Sequence, residues 1–180
     1  MCKEKVQGVQ GADDVNEACD LCKDAGQEVD VGSVKIIPLT RELVSQVAAI
    51  EALCFSEPWS EEAYLEVCRK KDYLYLVAID EAERAVGMCG LMIGPFEAEV
   101  MNVGVHPDYR GLGIAKALMG ALLAAGAERG VQEYTLEVRA GNSSAIHIYE
   151  SCGFKGEGIR PGFYRKPVED ALIMWRRKEL

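Results

Sequence analysis

Val103-Gly-Val-His-Pro-Asp-Tyr-Arg-Gly-Leu-Gly-Ile-Ala-Lys-Ala-Leu118 is the stretch on which the reading of this chain turns. A short apolar run leads into a turn, and the turn into a helix of small residues. Where they join, Arg110-Gly111-Leu112-Gly113-Ile114-Ala115 leaves several backbone N–H groups with little side chain in front of them. A helix N-terminus carries unpaired donors and partial positive charge, so such a turn suits a pyrophosphate. Small residues let a phosphate come close to the backbone. The plainer reading is a strand-to-helix turn that uses glycine only for its dihedral freedom. A lone glycine pair does not choose between the two.

Two other phosphate-binding loops are excluded by spelling. A P-loop requires Gly-x4-Gly-Lys-Ser/Thr, which the chain lacks. A dinucleotide turn requires Gly-x-Gly-x-x-Gly, and Lys116 stands where the third glycine belongs. Arg110-x-x-Gly113-x-Ala115 instead resembles the pyrophosphate loop of the GNAT family of N-acetyltransferases, Gln/Arg-x-x-Gly-x-Gly/Ala. Asn142-Ser-Ser-Ala-Ile-His-Ile-Tyr149-Glu-Ser-Cys-Gly153-Phe154 resembles that family's second cofactor segment. Cys54-Phe-Ser-Glu-Pro58-Trp59-Ser60 resembles the Phe-Pro-Trp-Ser stretch of one subgroup, the bacterial ribosomal-protein-alanine N-acetyltransferases of the RimI type. The likeness runs roughly from Val34 to Trp175 with small gaps. Ala115 replaces the subgroup's usual second glycine, an alternative the wider family allows.

The resemblance implies acetyl coenzyme A as cosubstrate. Acetyl transfer to an amine by direct attack on the thioester needs a base, donors for the oxyanion and an acid for the leaving thiolate. Glu137 matches the glutamate taken as general base in the RimI-type pattern. On its own terms it is a strand acid that shares a face with Thr135 and Arg139 by alternation, and a solvated carboxylate is the plain alternative. Tyr149 matches the tyrosine that the family places beside the coenzyme A sulfur, as proton donor. Otherwise it reads as core with its hydroxyl at the edge. In the family, the strand matching Val103-Gly104-Val105 splays from its neighbour and pairs with the pantetheine arm, so the oxyanion donor is expected among its N–H groups. Gly104 within a strand is consistent with a bulge or a close approach. The turn residues Arg110, Gly111, Leu112, Gly113, Ile114 and Ala115 are expected to hold the pyrophosphate, Arg110 either reaching it or staying solvated. Asn142 is expected to bind cofactor, to cap the following helix, or both.

Apolar periodicity and breakers give the order of elements. A strand at Val34–Pro38 precedes a helix capped by Thr40 and running to about Leu53, with Leu43, Val47 and Ile50 at helical spacing. Ser60 starts a second helix to about Lys70. Three strands follow, at Tyr73–Ile79, Ala85–Ile93 and Glu97–Val105. A long helix spans about Gly113 to Arg129, closed by Gly130. Then come strand Glu133–Arg139, helix Ser143–Cys152, strand Phe154–Ile159 and strand Ala171–Arg176. The order yields an α/β (α+β) fold, a mixed and mostly antiparallel sheet with helices on both faces, as the family resemblance also implies.

Of the 180 residues, 49% are hydrophobic, enough for one packed core. Residues 1–32 read as a polar extension, mobile or loosely docked, and residues 33–180 as the acetyltransferase domain. Lys+Arg 20 against Asp+Glu 29 gives a net charge of −9, which argues against nucleic acid as a direct partner. It is compatible with a basic peptide substrate steered by long-range attraction, and equally with an ordinary acidic surface. The seven cysteines, Cys2, Cys19, Cys22, Cys54, Cys68, Cys89 and Cys152, lack a framework spacing. Met1-Cys-Lys-Glu-Lys-Val opens no apolar run, and no stretch is long enough for a membrane span. A cytoplasmic protein with reduced thiols is expected. Cys19-Asp-Leu-Cys22 lacks the second pair or nearby histidines a structural zinc site needs, His106 and His147 being the only histidines, so no metal is expected.

An α-amine has a pKa near 8 and a lysine near 10.4, so at pH 7 about a tenth of the former is neutral and far less of the latter. A remote, water-linked base is therefore better matched to an N-terminus. Pro58 and Trp59 on one side, and the loop Arg160-Pro-Gly-Phe-Tyr164 on the other, are expected to flank the acceptor. Tyr164 matches a tyrosine of the RimI-type pattern. The resemblance thus implies a protein Nα-acetyltransferase acting on a ribosomal protein that begins with alanine. A lysine or small-amine acetyltransferase on the same fold, and a non-catalytic acetyl coenzyme A-binding protein, are the alternatives.

Overall fold

The structure, a computed structural model, describes residues 29–31 and 34–177. Residues 1–28, with Cys2, Cys19 and Cys22, lie outside them. The strands are β1 (Val29–Val31), β2 (Val34–Pro38), β3 (Tyr73–Asp80), β4 (Ala85–Ile93), β5 (Glu97–Val105), β6 (Glu133–Arg139), β7 (Lys155–Arg165) and β8 (Val168–Arg176). They form one sheet in the order β1-β2-β3-β4-β5-β6-β8-β7. Every neighbouring pair is antiparallel except β5 and β6. Parallel neighbours need a crossover, and α3 (Ile114–Glu128) supplies it. The mixed sheet with helices on both faces that the sequence predicts is the one observed.

Two apolar layers hold the helices. Under α3, Ile114, Leu118, Met119 and Leu122 pack on Leu74, Leu76, Leu91, Val100 and Leu136, with Ala145, Ile146 and Tyr149 of α4 (Ser143–Ser151) at the margin. On the opposite face, Val44, Val47 and Ile50 of α1 (Val44–Cys54) join Tyr64 and Val67 of α2 (Glu61–Val67) over Tyr75, Val77 and Met88. Each fully buried Leu, Ile or Val contributes about 1.5–3 kcal/mol relative to exposure. Ser60 caps α2 by accepting from the Ala63 N–H.

The sequence reading differs in four places. Thr40 precedes a 3-10 turn, Arg41–Leu43, before α1, and its side chain makes no capping bond to the backbone. The sheet starts earlier than Val34, because Val29–Val31 pairs with Val34–Ile36. Arg160-Pro-Gly-Phe-Tyr164 is no loop but part of β7, with the register against β8 shifting between Arg160 and Tyr164. A bulge that conserves strand direction satisfies the backbone where Pro161 cannot donate. Finally, the irregularity of β5 is not at Gly104. Cys89 pairs with Val103 but Leu91 with Val100, so Gly90 alone faces both Met101 and Asn102. This is a β-bulge, and it switches the parity of the strand. Ala98 and Val100 face α3, whereas Asn102 and Gly104 face α1. A Cβ at Gly104 would meet its neighbours at 3.4 Å, ordinary contact, whereas one at Gly90 would lie 2.2 Å from Tyr75 Cζ.

Candidate active site

The site begins where two strands part. β5 and β6 pair from Glu97–Glu133 to Val100–Leu136 and no further, so the bulge at Met101–Asn102 coincides with the opening. Beyond it, β5 still pairs with β4. The His106 N–H donates to Val86 O at 2.9 Å, which makes His106 and Val86 a hydrogen-bonded pair. By antiparallel alternation Gly104 and Met88 are the next such pair, and Val103 and Val105 present their N–H and C=O to the opening. Of the three residues expected to line the cofactor, Gly104 therefore spends its backbone on β4. The accessible amides belong to Val103 and Val105.

Past β5, a 3-10 turn (Pro107–Tyr109) leads to the turn quoted at the outset. Gly111 and Gly113 have φ of +80° and +82°, and a Cβ at either would touch nothing within 4 Å. The left-handed backbone at both positions is one that L side chains rarely adopt. Gly113 is the N-cap of α3, so the amides of Ile114, Ala115 and Lys116 open the helix without intrahelical acceptors. The Ile114 side chain is buried and Leu112 is exposed. The turn is strapped from behind. Asp80 accepts from Arg84 Nη2 at 2.6 Å and from the Tyr109 hydroxyl at 3.0 Å. Arg84, more than Tyr109, holds the Asp80 carboxyl well below the usual range. Arg110 is exposed, and its side chain turns back along β5. Its Nε donates to Val105 O at 3.1 Å, and Nη2 lies 3.7 Å from Cys54 Sγ. A carbonyl on the unpaired side of β5 lacks a strand partner, and the guanidinium supplies one.

Across the opening, Glu137 is the first residue of β6 after the last paired one. Strand alternation puts it with Thr135 and Arg139, on the face away from α3, because Leu136 and Val138 fill the core. Arg160 Nη1 donates to Glu137 Oε1 at 2.7 Å, and the Arg160 guanidinium lies over Phe163 at 4.7 Å. Glu99 shares this region. Burial first, and then Glu137, raises its pKa. The Tyr164 hydroxyl donates to Glu137 O at 3.2 Å. Tyr149 packs against Phe154 and the α3 core. Burial is the main cause of its raised pKa, and Tyr164 adds to it, so its phenol stays protonated at neutral pH. Tyr164 thus bonds to the backbone of Glu137 and lies near enough to Tyr149 to act on its phenol, while the Glu137 carboxylate faces away from α3. Asn142 caps α4, its Oδ1 accepting from the Ala145 N–H at 3.2 Å, which leaves the Nδ2 donors outside the cap.

Two arms close over the end of β6. Arg139 Nη2 donates to Ser56 Oγ at 3.3 Å, before Pro58, and to Lys166 O at 2.9 Å in the β7–β8 turn. Its Nη1 meets Glu169 at 3.0 Å, and its guanidinium covers Tyr164 at 4.2 Å. Pro58 is exposed, and Trp59 is half-buried against Tyr64 and Tyr75. The sequence reading missed Arg139 as the clasp, Arg160 as the partner of Glu137, and a buried quartet of Glu51, Tyr64, Tyr75 and Asn102. Glu51 carried a signal: it follows Val47 by one helical turn, on the core stripe of α1, where a carboxylate is out of place. Among the described residues no group of three His, Cys, Asp or Glu stands close enough to hold a metal, and no helix is long and apolar enough to cross a membrane.

Comparison with known proteins finds matches in sequence and in fold. The family model described as "Acetyltransferase (GNAT) family" matches residues 44–154. The chain is 36% identical over 153 residues to the N-alpha-acetyltransferase RimI of Mycobacterium tuberculosis, covering 82% of this chain and 94% of that one. It is 33% identical over 127 residues to the ribosomal protein bS18-alanine N-acetyltransferase of Escherichia coli strain K12, covering 69% and 84%. The crystal structure of the ribosomal-protein-S18-alanine N-acetyltransferase from Escherichia coli superposes with a TM-score of 0.74 at 30% identity, covering 82% of this chain and 95% of that one.

Proposed function

Because this chain belongs to the GNAT family of acetyltransferases, we propose that it moves acetyl from acetyl coenzyme A to the N-terminal alanine of a ribosomal protein. The observation that carries the reading is the position of Glu137 at the point where β6 leaves the open edge of β5. The names of the relatives above support the acceptor.

The residues fit the cosubstrate. The left-handed glycines of the turn and the first amides of α3 form a cradle for a pyrophosphate. Val103 and Val105 offer the pantetheine arm a strand edge, and either N–H is aimed to donate to an oxyanion. The bound thioester supplies an activated acetyl group. Glu137 takes the proton of the acceptor amine, through water where it does not reach directly. Arg160 must then share that carboxylate or yield it. Tyr149 returns a proton to the departing thiolate. Pro58, Trp59 and Tyr164 form the walls between which the acceptor backbone lies, and Arg139 sets their separation by holding the α1–α2 loop and the β7–β8 turn. The N-terminus is the better acceptor because its pKa near 8 leaves about a tenth neutral at pH 7.

The test is turnover of acetyl coenzyme A with a short ribosomal peptide beginning with alanine. Its control is the same peptide blocked at its N-terminus but carrying a free lysine. Acetylation of the free N-terminus alone is expected. Turnover on the blocked peptide instead would leave the family intact and remove the N-terminal acceptor.

A further inference from the structure

Four side chains from four elements meet in the layer between α1, α2 and the sheet. Tyr64 donates its hydroxyl to Glu51 Oε2 at 2.9 Å, and Asn102 Nδ2 donates to the same oxygen at 3.0 Å. Asn102 Nδ2 also reaches Tyr64 OH at 3.0 Å, and Asn102 Oδ1 accepts from the Tyr75 hydroxyl at 2.8 Å. The other carboxylate oxygen, Glu51 Oε1, accepts from the Trp59 backbone N–H at 3.4 Å. The polarity is self-consistent: turning the Asn102 amide over would set Oδ1 against the carboxylate. Glu51 is 2% and Asn102 8% exposed.

Glu51's partners in this quartet are neutral donors, and burial raises its carboxyl pKa. A buried carboxylate is a poor way to gain stability, since apolar residues of like volume often do better. What such networks supply is a single arrangement of the parts they touch. Here those parts are the two sides of the site. Asn102 is one of the two residues of the β5 bulge and the immediate neighbour of Val103. Trp59 belongs to the acceptor wall.

We propose that Glu51, Asn102, Tyr64 and Tyr75 form a positioning network that sets the acceptor loop against the open edge of β5, with Glu51 as the shared anchor. It rests on the function proposed above and adds positioning residues to it. Through Asn102, the network fixes the bulge that turns the Val103 and Val105 amides to the opening. Through Oε1, it fixes the height of Trp59. The two carboxylate oxygens thus serve different arms, and the arms are separable by mutation.

Glu51→Gln keeps an oxygen for Tyr64 and Asn102 but sets an NH2 against the Trp59 N–H. It is expected to raise acceptor KM about fivefold, the worth of one hydrogen bond, with kcat and coenzyme A affinity little changed. Asn102→Ala is expected to lower kcat by at least about tenfold, because sub-ångström placement of the oxyanion donors is lost. Tyr75→Phe, which removes one hydroxyl, gives a milder loss in kcat and serves where Asn102→Ala does not fold. Amide exchange provides a readout independent of turnover. Glu51→Gln is expected to speed exchange in the segment 55–60, and Asn102→Ala or Tyr75→Phe in the segment 100–106. Folded variants with unchanged kinetics and exchange overturn the proposal. So do losses in kcat and KM that are equal in every variant and follow only the fall in thermal midpoint. Should the wild-type protein acetylate no N-terminus, the function proposed above fails, and the exchange pattern still decides on the network.

Discussion

Glu137 is held by its strand pairing with β8 and by two residues of β7. Arg160 takes one carboxylate oxygen, and Tyr164 holds the backbone carbonyl. Glu137→Gln keeps these contacts in outline and removes the proposed base. Turnover is expected to fall by about 100-fold or more while coenzyme A affinity stays near wild type, checked by steady-state kinetics beside calorimetry. A large loss of coenzyme A binding in that variant would remove the assignment. Glu51 makes a different prediction. Its folded-state pKa is raised above the ordinary carboxylate value of 4.5, by burial first. The folded state then binds the proton more tightly than the unfolded one. That contribution is complete below the ordinary value and is lost as pH rises through the raised one. Glu51→Gln does not titrate, so its stability relative to wild type should improve as pH climbs from about 4 towards neutrality. Urea titrations of both proteins at a series of pH values check the slope. A pH-independent difference would mean that Glu51 does not change protonation on folding.

The bulge in β5 is the element on which the site depends. It reverses the parity of the strand, coincides with the end of β5–β6 pairing, and leaves the Val103 and Val105 amides on an open edge. Gly90 permits it, because the Tyr75 ring lies where a side chain would be. Gly90→Ala forces that ring to move and is expected to cost about 1–3 kcal/mol. Its denaturant midpoint should fall, and so should acetyl transfer, since Tyr75 carries Asn102. Gly104→Ala is the informative control. Its Cβ would make ordinary contacts at 3.4 Å, so a mild effect there and a severe one at Gly90 separate the two. The long helix α3 plays a complementary part. Its apolar stripe makes the parallel crossover, and its first turn carries the amides proposed to meet the phosphates, so one element sets the strand order and would set the cofactor end of the cleft.

For the whole molecule, a net charge of −9 is compatible with basic acceptors steered by long-range attraction, and equally with an ordinary acidic surface. For an arginine-containing peptide with a free N-terminus, kcat/KM should fall as ionic strength rises, and more steeply than for a neutral peptide of the same length. Equal slopes would mean that the charge serves solubility alone. From Val34 onward the sequence by itself determined the order of the strands and α-helices, and the glycine turn ahead of α3. Both are local. Periodicity reports burial within a few residues, and a left-handed turn is written in the glycines that adopt it. The motif resemblance reached the family for the same reason, because a pyrophosphate cradle is built from consecutive amides. Only the tertiary structure decided which backbone groups face the opening, that Arg110 turns back to Val105, and that Arg160 occupies Glu137 from 23 residues away. The network joining Glu51 to Asn102 spans 51 positions. Such contacts depend on sheet register and on the placement of a single bulge, which no local window of sequence contains.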